Sequence, residues 1–191
     1  MEEMNKESIT PNLIRENKLR TKFYINEFKR QLKNYILTSR FNNSTWMENI
    51  NFRKNNSKIG CIYCSPIQIS NTIPIDTILF ILEMNNENNR IMGIGMVRNH
   101  PTTNPYCVYN TGNYHRFIYV GKYRIDRNEM NNDEENIMKV FDILCFTGNR
   151  HMKRGQGLTT FPIDILYRCS KVMDLVVFIN NMFKNRLNNK K

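Results

Sequence analysis

The chain has 191 residues, 40% hydrophobic and 11% aromatic, which is enough apolar material for one full core and excludes a globally disordered polymer. Lys and Arg number 28 against 17 Asp and Glu, a formal net charge of +11 that points to polyanions, nucleic acid first and anionic membrane surface second. No apolar run reaches the roughly 18–20 residues of a membrane span, and the segment Met1 to Lys6 lacks the regions of a secretory signal, so a cytoplasmic or nuclear chain is expected.

Asn, Ile and Lys recur throughout, as in Asn85-Asn86-Glu87-Asn88-Asn89, and all three are encoded by A/T-rich codons. Codon bias therefore accounts for part of the lysine excess. The clustering of arginines in particular segments argues for a binding surface.

Residues 1–10 are expected to be a disordered tail, and residues 11–187 one α+β domain with a small mixed or barrel-like β-sheet. From Pro11 the pattern reads as a basic helix over 11–40: Leu13, Leu19, Phe23, Phe28, Leu32 and Ile36 approximate a 3.6-residue period. Eight cations, among them Arg20, share that stretch with only Glu16 and Glu27. Residues 41–58 are polar and irregular apart from Trp46.

Strand patterns then take over through a β-rich core at 57–127. Ile59 to Cys64 is short and β-prone, Thr77 to Met84 is almost wholly apolar, and Arg90 to Val97 returns after an Asn-rich turn, so the last two form a hairpin. Tyr106 to Tyr109, Phe117 to Val120 and Lys122 to Ile125 are further candidates. Asn132 followed by Glu135 reads as a capping box opening a helix, and Thr147-Gly148 ends it. Pro162 to Arg168 and Lys171 to Leu187 read as helical, and residues 188–191 as a frayed basic tail.

Two segments carry candidate chemistry. Gly148 to Gly157 holds Arg150, His151, Lys153, Arg154, Gly155, Gln156 and Gly157 with no acid, the composition of a loop whose backbone approaches phosphate closely. It lacks the Gly-Lys-Ser/Thr of a nucleotide-binding P-loop. The second segment interleaves Arg116, Lys122, Arg124 and Arg127 with tyrosines, a strand face able to set cations on phosphates and rings on bases. A solvated surface loop and a half-exposed strand are the plain alternatives for these two.

Cys61 and Cys64 have the spacing of half a zinc site, but no second pair accompanies them, so core thiols are expected and no metal or other cofactor. Carboxylates and histidines are scattered singly, and no catalytic constellation stands out.

Ile73-Pro74-Ile75-Asp76-Thr77-Ile78-Leu79-Phe80 followed by Ile91-Met92-Gly93-Ile94-Gly95-Met96-Val97 resembles the PUA-like β-barrel superfamily, especially its EVE and YTH-like branches. The resemblance spans about a third of the chain. It implies a small barrel that binds RNA or DNA, in some members by accepting one base in a pocket, with Trp46, Tyr63 and Ser65 the nearest equivalents of pocket residues by order along the chain.

The function expected is non-catalytic nucleic-acid binding through one continuous basic surface. An enzyme acting on nucleic acid or nucleotides is the main rival. A packaging or virion-assembly protein, located in a viral factory or virion, is the third reading.

Overall fold

The computed structural model describes residues 11–189; the tail expected at 1–10 lies outside them, as do residues 190 and 191 of the basic tail. The first element is helix α1 (Pro11–Gln31). It stops nine residues short of the expected end at Arg40, because the next segment is a strand, β1 (Tyr35–Phe41). Along β1 alternate side chains enter two different cores, Ile36 one and Tyr35 and Leu37 the other, the two-sided burial of a central strand. Leu19 and Phe23 of the expected apolar helix row are 61% and 60% exposed, whereas Phe28 and Leu32 do reach the body.

Helix α2 (Asn43–Asn55) occupies the stretch expected to be irregular. A reciprocal capping box starts it: the Asn42 side chain accepts from the Thr45 backbone, and the Thr45 hydroxyl accepts from the Asn42 backbone. Its buried residues are Trp46 and Asn49, so no apolar period announces it. Strands β2 (Cys61–Ser65), β3 (Ile78–Asn85) and β4 (Arg90–Arg98) fall where their apolar runs place them, and β3 and β4 form the expected hairpin. Tyr106 to Tyr109 belongs to a connection and not to a strand; β5 (Phe117–Gly121) and β6 (Tyr123–Asp126) follow.

Helix α3 (Asn132–Phe146) is capped by Asn131 with Glu134, one residue before the expected box. The two-residue strand β7 (Thr159–Thr160) and helices α4 (Ile163–Cys169) and α5 (Leu175–Asn188) complete the chain.

The fold is α+β, with a mixed five-stranded sheet in the order β6-β4-β3-β1-β7 and a separate two-stranded sheet of β2 and β5. Among the described residues no closed barrel forms. β1 and β3 run parallel, while β4 and β7 run antiparallel to their neighbours. Helices α3, α4 and α5 cover one face of the large sheet through Phe80, Leu82, Phe141, Phe161, Ile179 and their neighbours. The other face packs through Leu37, Leu79 and Ile81 onto Trp46, Ile62, Tyr63 and Tyr119 of α2 and the small sheet.

A charged group interrupts this second core. Glu83 is fully buried in β3, and Arg124 reaches it from β6 across the intervening β4, placing Nε and Nη2 within 2.7–3.0 Å of both carboxylate oxygens. Tyr63 of the small sheet donates its hydroxyl to the same carboxylate at 2.7 Å, and Arg124 also pairs with Asp126. The glycines of β4 make the slot. A Cβ on Gly93 would lie 2.6 Å from the Arg124 guanidinium, and one on Gly95 would lie 1.9 Å from the Tyr63 hydroxyl.

Arg124→Met leaves Glu83 as an unpaired buried carboxylate and is expected to lower the unfolding free energy by about 3–5 kcal/mol in urea melts. Combining it with Glu83→Gln should recover part of the loss, because the orphaned charge is then gone. A single variant within about 0.5 kcal/mol of wild type would contradict the arrangement.

The ion pairs around α3 set an acid limit. Arg186 beside Glu134 and Arg127 beside Glu135 hold these carboxyls below their ordinary value of 4.5. Folded values below unfolded ones give stability that is present above the unfolded value and lost as pH falls through the folded values. Urea midpoints should therefore hold down to about pH 5 and fall below about 4.5. A midpoint unchanged at pH 3 contradicts this.

Candidate nucleic-acid interface

Because β1 and β3 are parallel, their carboxyl ends fall together, and a cavity of about 240 Å³ opens there. Its wall is assembled from five stretches of chain. Ser39, Arg40, Phe41, Asn42 and Thr45 come from the end of β1 and the entry to α2, Cys64 from β2, and Asn86 from the turn after β3. Tyr109, Thr111 and Tyr114 come from the connection before β5, and Gly155, Gln156 and Gly157 from the loop before β7.

That last loop is held by specific contacts. The Arg40 Nε donates to the Met152 carbonyl, Asn86 Nδ2 donates to the Lys153 carbonyl at 3.0 Å, and the Leu158 backbone N–H donates to Ser65 Oγ at 3.4 Å. Gly157 has φ +62° and presses on Ser65 so closely that a Cβ would stand 2.1 Å from its Oγ. Glycine is required there both for the left-handed backbone and for the approach.

Among the described residues no carboxylate lines the cavity, and its one cation is Arg40. The Cys64 thiol is pushed up to about 12 by burial, so it is not a thiolate at neutral pH. Tyr109 accepts from Asn49 Nδ2 at 3.1 Å, stacks on His115 with centroids 6.0 Å apart, and meets Tyr114 edge to face at 6.4 Å. The His115 Nε2 accepts the backbone N–H groups of Val108 and Tyr109, which orders this aromatic wall. Asn86 points its amide nitrogen at Lys153, and its Oδ1 is buried with no donor facing it.

The residues singled out in the sequence fall into three groups. Gly155, Gln156 and Gly157 line the cavity, and Arg154 is exposed beside them. Arg150 pairs with Asp164, Lys153 donates to Asn89 Oδ1, and His151 is half-buried with Nδ1 unpartnered. Arg116 is exposed just before Phe117, which pairs with Ser65, and does not line the cavity.

Arg124 and Arg127 are corrections. Their side chains are 8% and 4% exposed, Arg124 engaged by Glu83 and Asp126 and Arg127 by Glu135 and Asp142, so neither offers charge to a ligand. Lys122 is exposed beside the β6 edge of the large sheet, whereas the glycine loop enters β7 at the opposite edge, four strand spacings or about 19 Å away. Arg20 is exposed on α1. The expected continuous surface is thus divided: among the described residues Arg40 is the cation that lines the cavity, and Arg154 is exposed beside its glycine wall.

Trp46, Tyr63 and Ser65 are buried behind the cavity and do not line it. The residues that do are their chain neighbours Thr45 and Cys64. Arg40 falls at the end of the stretch expected to be helical, where it is one of eight cations; the strand β1 is what singles it out. Cys61 and Cys64 stand three apart on β2 and face opposite ways, Cys61 toward the Met96 and Tyr123 carbonyls and Cys64 toward the cavity.

Gly157→Ala should lower the melting temperature by at least about 2 °C, from the positive φ and the Ser65 clash. Gly112→Ala, where an added Cβ meets nothing within 4 Å, should leave it unchanged. Equal melts for the two would remove the glycine loop from the cavity wall. Comparison of the chain with protein-family models, with curated proteins and with solved structures gives no match.

Proposed function

We propose that this chain binds single-stranded or locally opened nucleic acid without catalysing a reaction on it, seating one unstacked base in the cavity at the ends of β1 and β3. The observation that carries this reading is the lining: Tyr109 and Tyr114 supply aromatic surface, and Asn42, Asn86 and Gln156 supply donors and acceptors, with no acid to repel a phosphate strand. At about 240 Å³ the cavity is smaller than the roughly 300–1,000 Å³ of drug-sized sites, in keeping with a single ring system.

The same lining favours binding over chemistry. Among the described residues no carboxylate or imidazole lines the cavity to activate its hydroxyls, and its one thiol is held at about 12. The resemblance of residues 73–80 and 91–97 to PUA-like domains supports a base pocket, although the sheets here stay open. Loop cations next to the opening supply the electrostatic part of affinity.

The test is titration of fluorescent oligonucleotides, single-stranded and duplex, over a range of salt. Tyr114→Ala should weaken single-strand binding by about 5- to 150-fold, the range for losing one stacked base. Arg150, Lys153 and Arg154 replaced together by Ala should flatten the salt slope, by up to about 0.7 per lost phosphate contact on single strands. No binding to any oligonucleotide at low salt, or affinity untouched by both variants, would overturn the reading.

A further inference from the structure

The cavity has a feature that base stacking leaves unexplained, the state of Arg40. The other well-buried guanidinium groups of the fold meet carboxylates: Arg124 meets Glu83, and Arg127 meets Glu135 and Asp142. Arg40 forms no ion pair among the described residues. It is half-buried, and burial pulls its pKa below the ordinary value. Its Nε donates to the Met152 carbonyl and its Nη1 to the Thr159 hydroxyl at 3.0 Å. Both partners are neutral. They fix the plane of the group and leave Nη2 without a hydrogen bond among the described residues.

A partly desolvated cation without a counterion is less favourable than a paired one, and an arginine stays protonated in such a site, so an anion supplied from outside the chain would be attracted to it. The loop leaves room for that anion. Gly155, at φ +118°, lies over the guanidinium, where an added Cβ would stand 3.4 Å from Cζ, so a glycine is the residue that covers least of it. With no carboxylate in the lining, an incoming anion meets no repulsion.

We infer that Arg40 is an anion receptor inside the cavity and that the ligand is a nucleotide, its phosphate on the Arg40 guanidinium and its base on the tyrosine wall. This rests on the nucleic-acid reading above and narrows it: the unit recognised is base plus phosphate. The phosphate belongs either to a strand terminus or to an internal diester, and each has at least two non-bridging oxygens to present to a planar guanidinium.

The experiment is calorimetric titration of the full chain with adenosine, guanosine, cytidine and uridine and with their 5′-monophosphates, alongside inorganic phosphate. A monophosphate should bind at least about tenfold tighter than its nucleoside, the effect of one charge-assisted hydrogen-bonded pair. Arg40→Gln should bring the two to equal affinity, and Arg40→Lys should restore only part of the difference. The comparison in the native chain stands even if the variants fail to fold. Nucleoside and nucleotide binding equally, or the preference surviving Arg40→Gln, overturns the assignment.

Oligonucleotides with 5′-phosphate, 3′-phosphate and neither separate the two sources. A terminal phosphate on Arg40 makes one phosphorylated form tighter than the unmodified strand; an internal diester leaves all three equal while the mononucleotide preference persists. Oligonucleotides that bind with no mononucleotide preference would overturn Arg40 as receptor and leave the broader reading standing. Mononucleotides that bind through Arg40 with no oligonucleotide binding would do the reverse.

Discussion

The buried Glu83–Arg124 pair is the constraint around which the rest is arranged. A carboxylate in the middle of an apolar strand is tolerable only when opposed and fully hydrogen-bonded, and Arg124 and Tyr63 between them do this. The partners come from β6, two strands away in the large sheet, and from β2 in the small sheet. One carboxylate therefore fixes how the two sheets face each other. The requirement propagates to β4, where Gly93 and Gly95 are the residues that leave space for the pair and for the tyrosine ring. Apolar packing of similar volume would hold the layers as firmly, but it would not select this registration as sharply; hydrogen bonds with fixed donors and acceptors do.

Registration of the sheets is what builds the cavity. With Tyr63 held at Glu83, Cys64 on the other side of β2 faces the ends of β1 and β3, and Ser65 is set to receive Gly157. Basic charge divides accordingly. Arg124, Arg127 and Arg186 hold the fold by meeting acids, while Arg40 and Arg154 form no ion pairs among the described residues and stand at or near the cavity. A net charge of +11 therefore overstates any single surface, and position relative to the acids decides which cations are available.

Much of the scaffold was legible in the sequence because its signals are local. The apolar runs of β3 and β4, the Asn-rich turn between them and the cap of α3 each lie within about ten residues. β1 was read as helix because Leu32 and Ile36 continue an apolar spacing across Lys33 and Asn34, while the fact that decides it, pairing with β3 some forty residues on, is not local. α2 was hidden because it buries only Trp46 and Asn49, although Asn42 with Thr45 carried its start. Arg124 and Arg127 passed for binding residues because Glu83, Glu135 and Asp142 are distant in sequence. The cavity itself joins residues from 39 to 157, and of its wall only the Gly155-Gln156-Gly157 turn had a signature in the chain.

Ligand contact is expected to concentrate at the β1/β3 ends and not over the basic surface at large. Amide chemical-shift mapping with a short single-stranded oligonucleotide tests it most directly. Shifts should concentrate at Ser39, Arg40, Thr45, Tyr109, Tyr114 and Gly155 to Gly157, with α1 and the Lys122 edge little changed. Shifts confined to α1 and the Lys122 edge, with the cavity residues silent, would contradict it.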